Sequence, residues 1–200
     1  MNRIIAKTGS GIVTVTVFLF ALFLIIDFKF GYYLVCMFLP LGFIMMTAGL
    51  HNECDEDRKV AANTGLILAA VYCTFILTVY FAQNTTVLNE DLSEDADRVL
   101  NFSRGGLLFN YDLLGYGMMA LSTFFTGISM KAGNRRDKWL KYLLTAHGAF
   151  FPGCFIMPMT GMFANPTGKS SGGIMALVIW CVYFLPIGIL AFLHFGKQED

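Results

Sequence analysis

The stretch Leu107–Met130, LLFNYDLLGYGMMALSTFFTGISM, decides how the rest of the chain is read. From Leu113 to Met130 it runs 18 residues without a charge, about the shortest run that crosses a hydrocarbon core of roughly 30 Å at about 1.5 Å per residue. We read it as a membrane helix over 113–130. Three polar residues, Asn110, Tyr111 and Asp112, precede the run, and Ser122, Thr123, Thr126 and Ser129 form a series of small hydroxyls within it. No other apolar run in the chain has an acid so close to its start.

Composition points the same way. The 200 residues are 56% apolar and include 20 Phe, against about 45–50% apolar in ordinary soluble chains. The solvent of this fold is lipid. Lys plus Arg and Asp plus Glu both number 14, so no basic surplus exists to bind nucleic acid through counterion release. Cys36, Cys73, Cys154 and Cys181 lie in apolar runs and Cys54 sits alone in a polar loop. That pattern gives neither a disulfide framework nor a CxxC metal spacing, so the cysteines read as packing residues and no metal or cofactor is expected.

Five further apolar runs complete an all-α reading: a single membrane domain over 1–200, an integral bundle of six transmembrane helices at about 12–27, 32–50, 60–82, 113–130, 139–159 and 174–195. The first resembles a signal peptide, but no A-x-A cleavage site follows it, and Asp27, Lys29 and Gly31 turn the chain into the second span. Pro40 predicts a kink in the second span, and Pro152 and Pro158 predict a bend near the exit of the fifth; the sixth holds Pro186. In the third, Ala61, Gly65, Ala69 and Cys73 recur every four residues, a small-residue stripe that lets a neighbouring helix approach. The outer polar loop 83–106 carries a helix start at Ser93, followed by Glu94 and Asp95, with Gly105 and Gly106 as its stop. Val99, Leu100 and Phe102 would lay that short helix on the membrane interface. Ten of the fourteen Lys and Arg fall on the face that holds both termini, which places the termini in the cytoplasm (N-in/C-in). The net charge is then +3 inside and −3 outside, an outer face that favours cations. Aligning the second and third spans on the fourth and fifth matches Gly49 with Gly127 and Arg58 with Arg136 and little else, so no internal repeat is inferred.

Candidate sites follow from polar residues at apolar depth. His147 lies near the bilayer midplane, where an ionisable group is a functional candidate. Tyr72, Ser122 and Thr123, with Gly42 and Cys181 or Tyr183, fall at the same depth and would line a small polar cavity. The bland alternative is an imidazole bonded to one hydroxyl or to a carbonyl freed by Pro152. His51 and His194 lie near span ends and read as solvated. Asp112 reads first as the N-cap of the fourth span. In its functional version Asp112 and Tyr116 share a helical face and meet Tyr80 and Gln83 from the end of the third span, forming an outward-facing pocket for a small cation or an amine. The loop from His51 to Asp57 holds metal-ligand residue types but one His and one Cys, and reads as a solvated turn. GKSS at 168–171 ends like a phosphate loop, yet Phe163 occupies the place of the first glycine and the loop faces outward. Asn84-Thr85-Thr86 and Asn101-Phe102-Ser103 are glycosylation sequons only in a eukaryotic source.

VYFAQNTTVL at Val79–Leu88 and NYDLLGYGMMALSTFF at Asn110–Phe125 resemble a pattern of small uncharacterised multi-span membrane proteins of bacteria, over about an eighth of the chain. The resemblance implies a bacterial plasma membrane setting and carries no activity; it groups Gln83, Asp112, Gly115 and Tyr116. The expectation from the residues is small-ligand or cation binding or transport through the bundle. Two alternatives stand beside it, a membrane-embedded enzyme centred on His147 and an accessory subunit that binds a membrane-protein partner.

Overall fold

The computed structural model describes residues 1–161 and 171–196. Among them every regular element is helical: α1 Asn2–Ile25, α2 Lys29–Asn52, α3 Lys59–Ala82, α4 Glu94–Leu100, α5 Leu107–Ser129, α6 Arg135–His147, α7 Phe151–Ile156 and α8 Ser171–Phe195. A 3₁₀ turn, Glu56–Arg58, leads into α3 and one π-type turn, Gln83–Val87, follows it. The turn-rich loop expected over 161–173, with its GKSS segment, lies largely outside the described residues.

Five helical segments among the described residues are long and apolar enough to cross a membrane: Asn2–Ile25, Lys29–Asn52, Glu56–Val87, Arg135–Thr160 and Ile174–Phe195. They mark a membrane protein. Exposure is inverted relative to a soluble domain: Phe18, Ile67 and Val182 are 57%, 65% and 69% exposed, while Ser122, Thr123, Asp112 and His147 are buried. The stretch Leu107–Met130 does form a helix, α5, but it is not among the five. Its small and hydroxyl residues lower its apolarity, and they do so on a face that is buried: Gly115, Gly117, Ala120, Ser122, Thr123, Thr126 and Gly127 all point inward. A helix walled by other helices needs fewer apolar residues than one wrapped in lipid.

The long helices pack in a round. α1 lies on α2, α2 on α3, α3 on α5, α5 on α6 and α7, α6 on α8, and α8 returns to α1. Stripes at helical spacing drive this. In α1, Ala6, Gly9, Val13, Val17, Phe20 and Leu24 are buried, the i, i+3, i+4 pattern of one face. Gly9 and Gly42 bring the α1 and α2 backbones into contact: a Cβ on Gly9 would stand 2.7 Å from the Gly42 carbonyl, and one on Gly42 would stand 2.8 Å from that of Gly9. In lipid, where apolar burial does not drive helices together, such close approach supplies the contact energy. The stripe expected on α3 is partly realised. Gly65 and Ala69 are buried, joined by Ala62, Tyr72 and Ile76, whereas Ala61 and Cys73 are half-buried.

Several boundaries differ from the sequence reading. α2 runs through Pro40 and α8 through Pro186 as continuous helices. The fifth apolar run is broken, as its prolines predict, into α6, a 3₁₀ turn Gly148–Phe150, α7 and a second 3₁₀ turn Met157–Thr160. Pro152 and Pro158 each sit at the start of a new helical piece, where the missing N–H is one that lacks a partner anyway. Ser93 caps α4 as expected, its hydroxyl accepting from Ala96 N. That helix stops at Leu100 rather than at the glycines, because the Asn101 side chain bonds Asp97 and the Ser103 amide. Gly105, at φ +66°, closes the short turn that follows.

Candidate functional site

α5 begins at Leu107, after Gly105 in the left-handed region and Gly106 as N-cap. Asp112 is therefore the sixth helical residue and not the cap. It is 3% exposed. One turn deeper on the same face is Tyr116, and both look toward α3 and α2. The Tyr80 hydroxyl, from the last turn of α3, donates to the Asp112 carboxyl. The Cys36 thiol of α2 lies within reach of Tyr80 and Tyr116. Tyr72, two turns below Tyr80 on α3, stands against Tyr116 with ring centroids 5.7 Å apart. Three polar atoms of this group are fully buried and make no close hydrogen bond among the described residues: Asp112 Oδ1, the Tyr72 hydroxyl and the Tyr116 hydroxyl, the last two within longer reach of each other and of Cys36. Among the described residues no Lys, Arg or His forms an ion pair with Asp112.

Gln83 does not enter this group. Its amide donates to Leu100 O at 2.8 Å and its carbonyl accepts from Phe102 N at 3.0 Å, so it straps the 83–106 loop onto the bundle. The strap seats Phe102 against Tyr33, Tyr80 and Phe109, with centroids 6.3, 6.1 and 5.1 Å apart. Phe102 thus turns inward over Tyr80 instead of lying on the membrane interface. Tyr33 reaches Ser103 of the same loop.

His147 closes the deeper end. Its Nε2 accepts from Trp180 Nε1 at 3.0 Å and its Nδ1 meets Thr123 Oγ1 at 2.8 Å. The Thr123 hydroxyl donates in turn to Ala120 O. This is the Nδ1–H tautomer with both nitrogens engaged. Phe150, Tyr183 and Phe184 enclose the ring. Ser122 turns to the other side and donates to Gly65 O at 2.7 Å. Trp180 joins the two expected sites into one file, because its indole also packs edge-on against Tyr116 at 5.3 Å. From the 83–106 loop into the bundle the contacts run Asp112, Tyr80, Cys36, Tyr116 with Tyr72, Trp180, His147, Thr123. Sequence reading missed Trp180 and Cys36. A Trp deep in an apolar run is itself a signal, since its N–H requires an acceptor when buried.

A second cluster lies at the opposite end of the bundle. His194 is not solvated as expected: its Nδ1 meets Asp137 Oδ1 at 2.9 Å and its Nε2 meets Glu53 Oε2 at 2.7 Å. Arg3 Nε lies 3.5 Å from Glu53 Oε1, and its guanidinium donates to His194 O. Asn134, the cap of α6, also donates to Asp137. The clasp joins the start of α1, the end of α2, the start of α6 and the end of α8. Beside it is a cavity of about 210 Å³ lined by Leu50, Glu53, Met130, Lys131, Gly133 and His194. Lys131 reaches Asp55 at 3.4 Å, and the Cys54 thiol points to Ser129 O. His51 bonds Asn63.

Comparison with protein-family models, curated proteins and solved structures finds no match for this chain.

Proposed function

We propose that the chain is a six-span membrane protein that binds a small cationic ligand in the outer half of its interior, at Asp112, as a binding or transport protein. The observation that carries this reading is a buried carboxyl oxygen, Asp112 Oδ1, with no hydrogen-bond partner among the described residues, one helical turn from the buried Tyr116 hydroxyl that faces Tyr72. Buried polar groups are paired in the great majority of cases, and a buried carboxylate with one hydroxyl donor is costly to ionise unless a positive charge stands beside it. A cation beside it removes most of that cost.

The sixth span is α5. Its outer end meets the Phe102 turn, its inner end lies at Cys54, and it packs along α3 throughout. Its 23 residues reach about 34 Å at 1.5 Å per residue, the full hydrocarbon thickness. The clasp gathers both described chain ends and the loops after α2 and α5 at one end of the bundle, in keeping with both termini on one side. The excess of Lys and Arg at that end favours the cytoplasm, and the resemblance to small bacterial proteins favours a plasma membrane. With both nitrogens of His147 held, the imidazole serves as a positioned bonding partner better than as a general base.

The test is thermal unfolding of the purified protein with a panel of cations and amines, beside the Asp112→Asn variant. A ligand of the folded state raises the melting temperature in proportion to RT ln(1 + [L]/Kd). We expect at least one cation to do so in the native chain and none in the variant. Equal responses in both would remove Asp112 from the site.

A further inference from the structure

We infer that the ligand at Asp112 is a primary ammonium group, a class that rests on the reading of Asp112 as a binding site and narrows it. The group offers three buried oxygens that can still accept: Asp112 Oδ1, which has no partner among the described residues, and the hydroxyls of Tyr72 and Tyr116, which lie within reach of one another; a primary ammonium carries three N–H donors on one positive centre. One carboxylate balances one charge. Each phenol oxygen accepts an N–H without having to ionise, while the Tyr116 proton can turn toward the nearby Cys36 sulfur and the Tyr72 proton toward the Tyr116 oxygen.

The walls fit the same class. Tyr72 stands against Tyr116 and Tyr116 against Trp180, so the carboxylate is backed by aromatic faces, which attract an organic cation by about 0.5–2 kcal/mol each when desolvated. A hard metal ion is a poorer match. Calcium takes 6–8 oxygen ligands and magnesium a near-octahedral set, whereas this group has a single carboxylate, and phenols and a thiol make up the rest. The nearest backbone is helical, with its carbonyls committed to the helix. Asp112 is the member of the group nearest the acidic 83–106 loop, whose Phe102 covers Tyr80, so a ligand that enters from that loop passes Phe102.

Four chloride salts at equal ionic strength separate the outcomes: methylammonium, tetramethylammonium, sodium and potassium. The full-length protein in detergent is unfolded thermally over a concentration series of each, and binding is measured by calorimetry. Methylammonium should raise the melting temperature saturably, and tetramethylammonium, with the charge but no N–H, should not. Tyr72→Phe and Tyr116→Phe should each weaken methylammonium binding about tenfold, the loss of one hydrogen bond to a charged group. Asp112→Asn should abolish it while the variant still unfolds cooperatively. Tetramethylammonium acting as well as methylammonium, or wild-type affinity in both Phe variants, overturns the three-donor assignment. An Asp112-dependent response to sodium or potassium alone overturns the amine class but keeps the site. No Asp112-dependent response to any of the four overturns both.

Discussion

Asp112 sits one and a half turns inside α5 with an oxygen that nothing in the described structure satisfies. Replacing it with Asn keeps the shape and an acceptor for Tyr80 and removes the group that can carry the charge. We expect the unliganded Asp112→Asn protein to melt no lower than wild type, because burial disfavours the charged carboxylate in the absence of a cation, even as its ligand response disappears. His147 predicts the opposite. His147→Ala strips the Trp180 N–H of its acceptor, leaves Thr123 without the ring and opens a cavity, at a cost of about 3 kcal/mol. If His147 acts only by holding this corner, His147→Gln, which keeps an acceptor for Trp180, should restore much of the loss and leave ligand affinity unchanged. At Gly65 even one carbon is too many. A Cβ there would lie 2.7 Å from Thr126 Oγ1 and 3.1 Å from Ser122 O, so an Ala would push α3 off α5.

Among the elements, the outer loop and the clasp are the two devices that fix helix ends. Gln83→Ala removes both bonds that hold Leu100 and Phe102. Hydrogen exchange over residues 93–106 should rise sharply, with little change in α1 and α2. His194→Ala unlinks the ends of α2, α6 and α8 and should lower stability by about 1–3 kcal/mol, checked by thermal unfolding. The partly exposed Glu53 contributes the smaller share of that figure. These devices also show where sequence reading stops. An acid just before an apolar run looks the same whether it caps a helix or lies within it, and only the Gly105–Gly106 turn moved the start of α5 back to Leu107. The pairing of His194 joins residues 57 and 141 positions apart, a separation at which no local pattern signals a contact. By contrast the apolar runs, the Ser93 cap and the helix restarts at Pro152 and Pro158 follow from chemistry within a few residues, and all were legible.

For the molecule as a whole, orientation is the property on which entry from the outer side depends. A cysteine placed at Asp91, in the exposed outer loop, should react with an impermeant thiol reagent in intact cells, and one at Asp57, exposed at the opposite end, should react only after lysis. The reverse pattern would put the Asp112 side of the bundle in the cytoplasm. Five spans could be counted from hydropathy because lipid demands continuous apolar length. α5 was legible as an uncharged run of 18 residues but falls outside the five most apolar segments, because its small and hydroxyl residues face other helices along its buried side.

The round closes where Gly188 of α8 meets Thr14 of α1, at 2.6 Å from a would-be Cβ to the threonine hydroxyl. During synthesis this makes the earliest described helix wait for the latest. A nascent chain halted before α8 emerges would leave the Gly11 and Thr14 flank of α1 open in the bilayer, a docking groove available to insertases or to quality-control proteases. Ribosome-stalled intermediates should therefore be degraded quickly until α8 clears the exit tunnel, after which the half-life should lengthen in a single step.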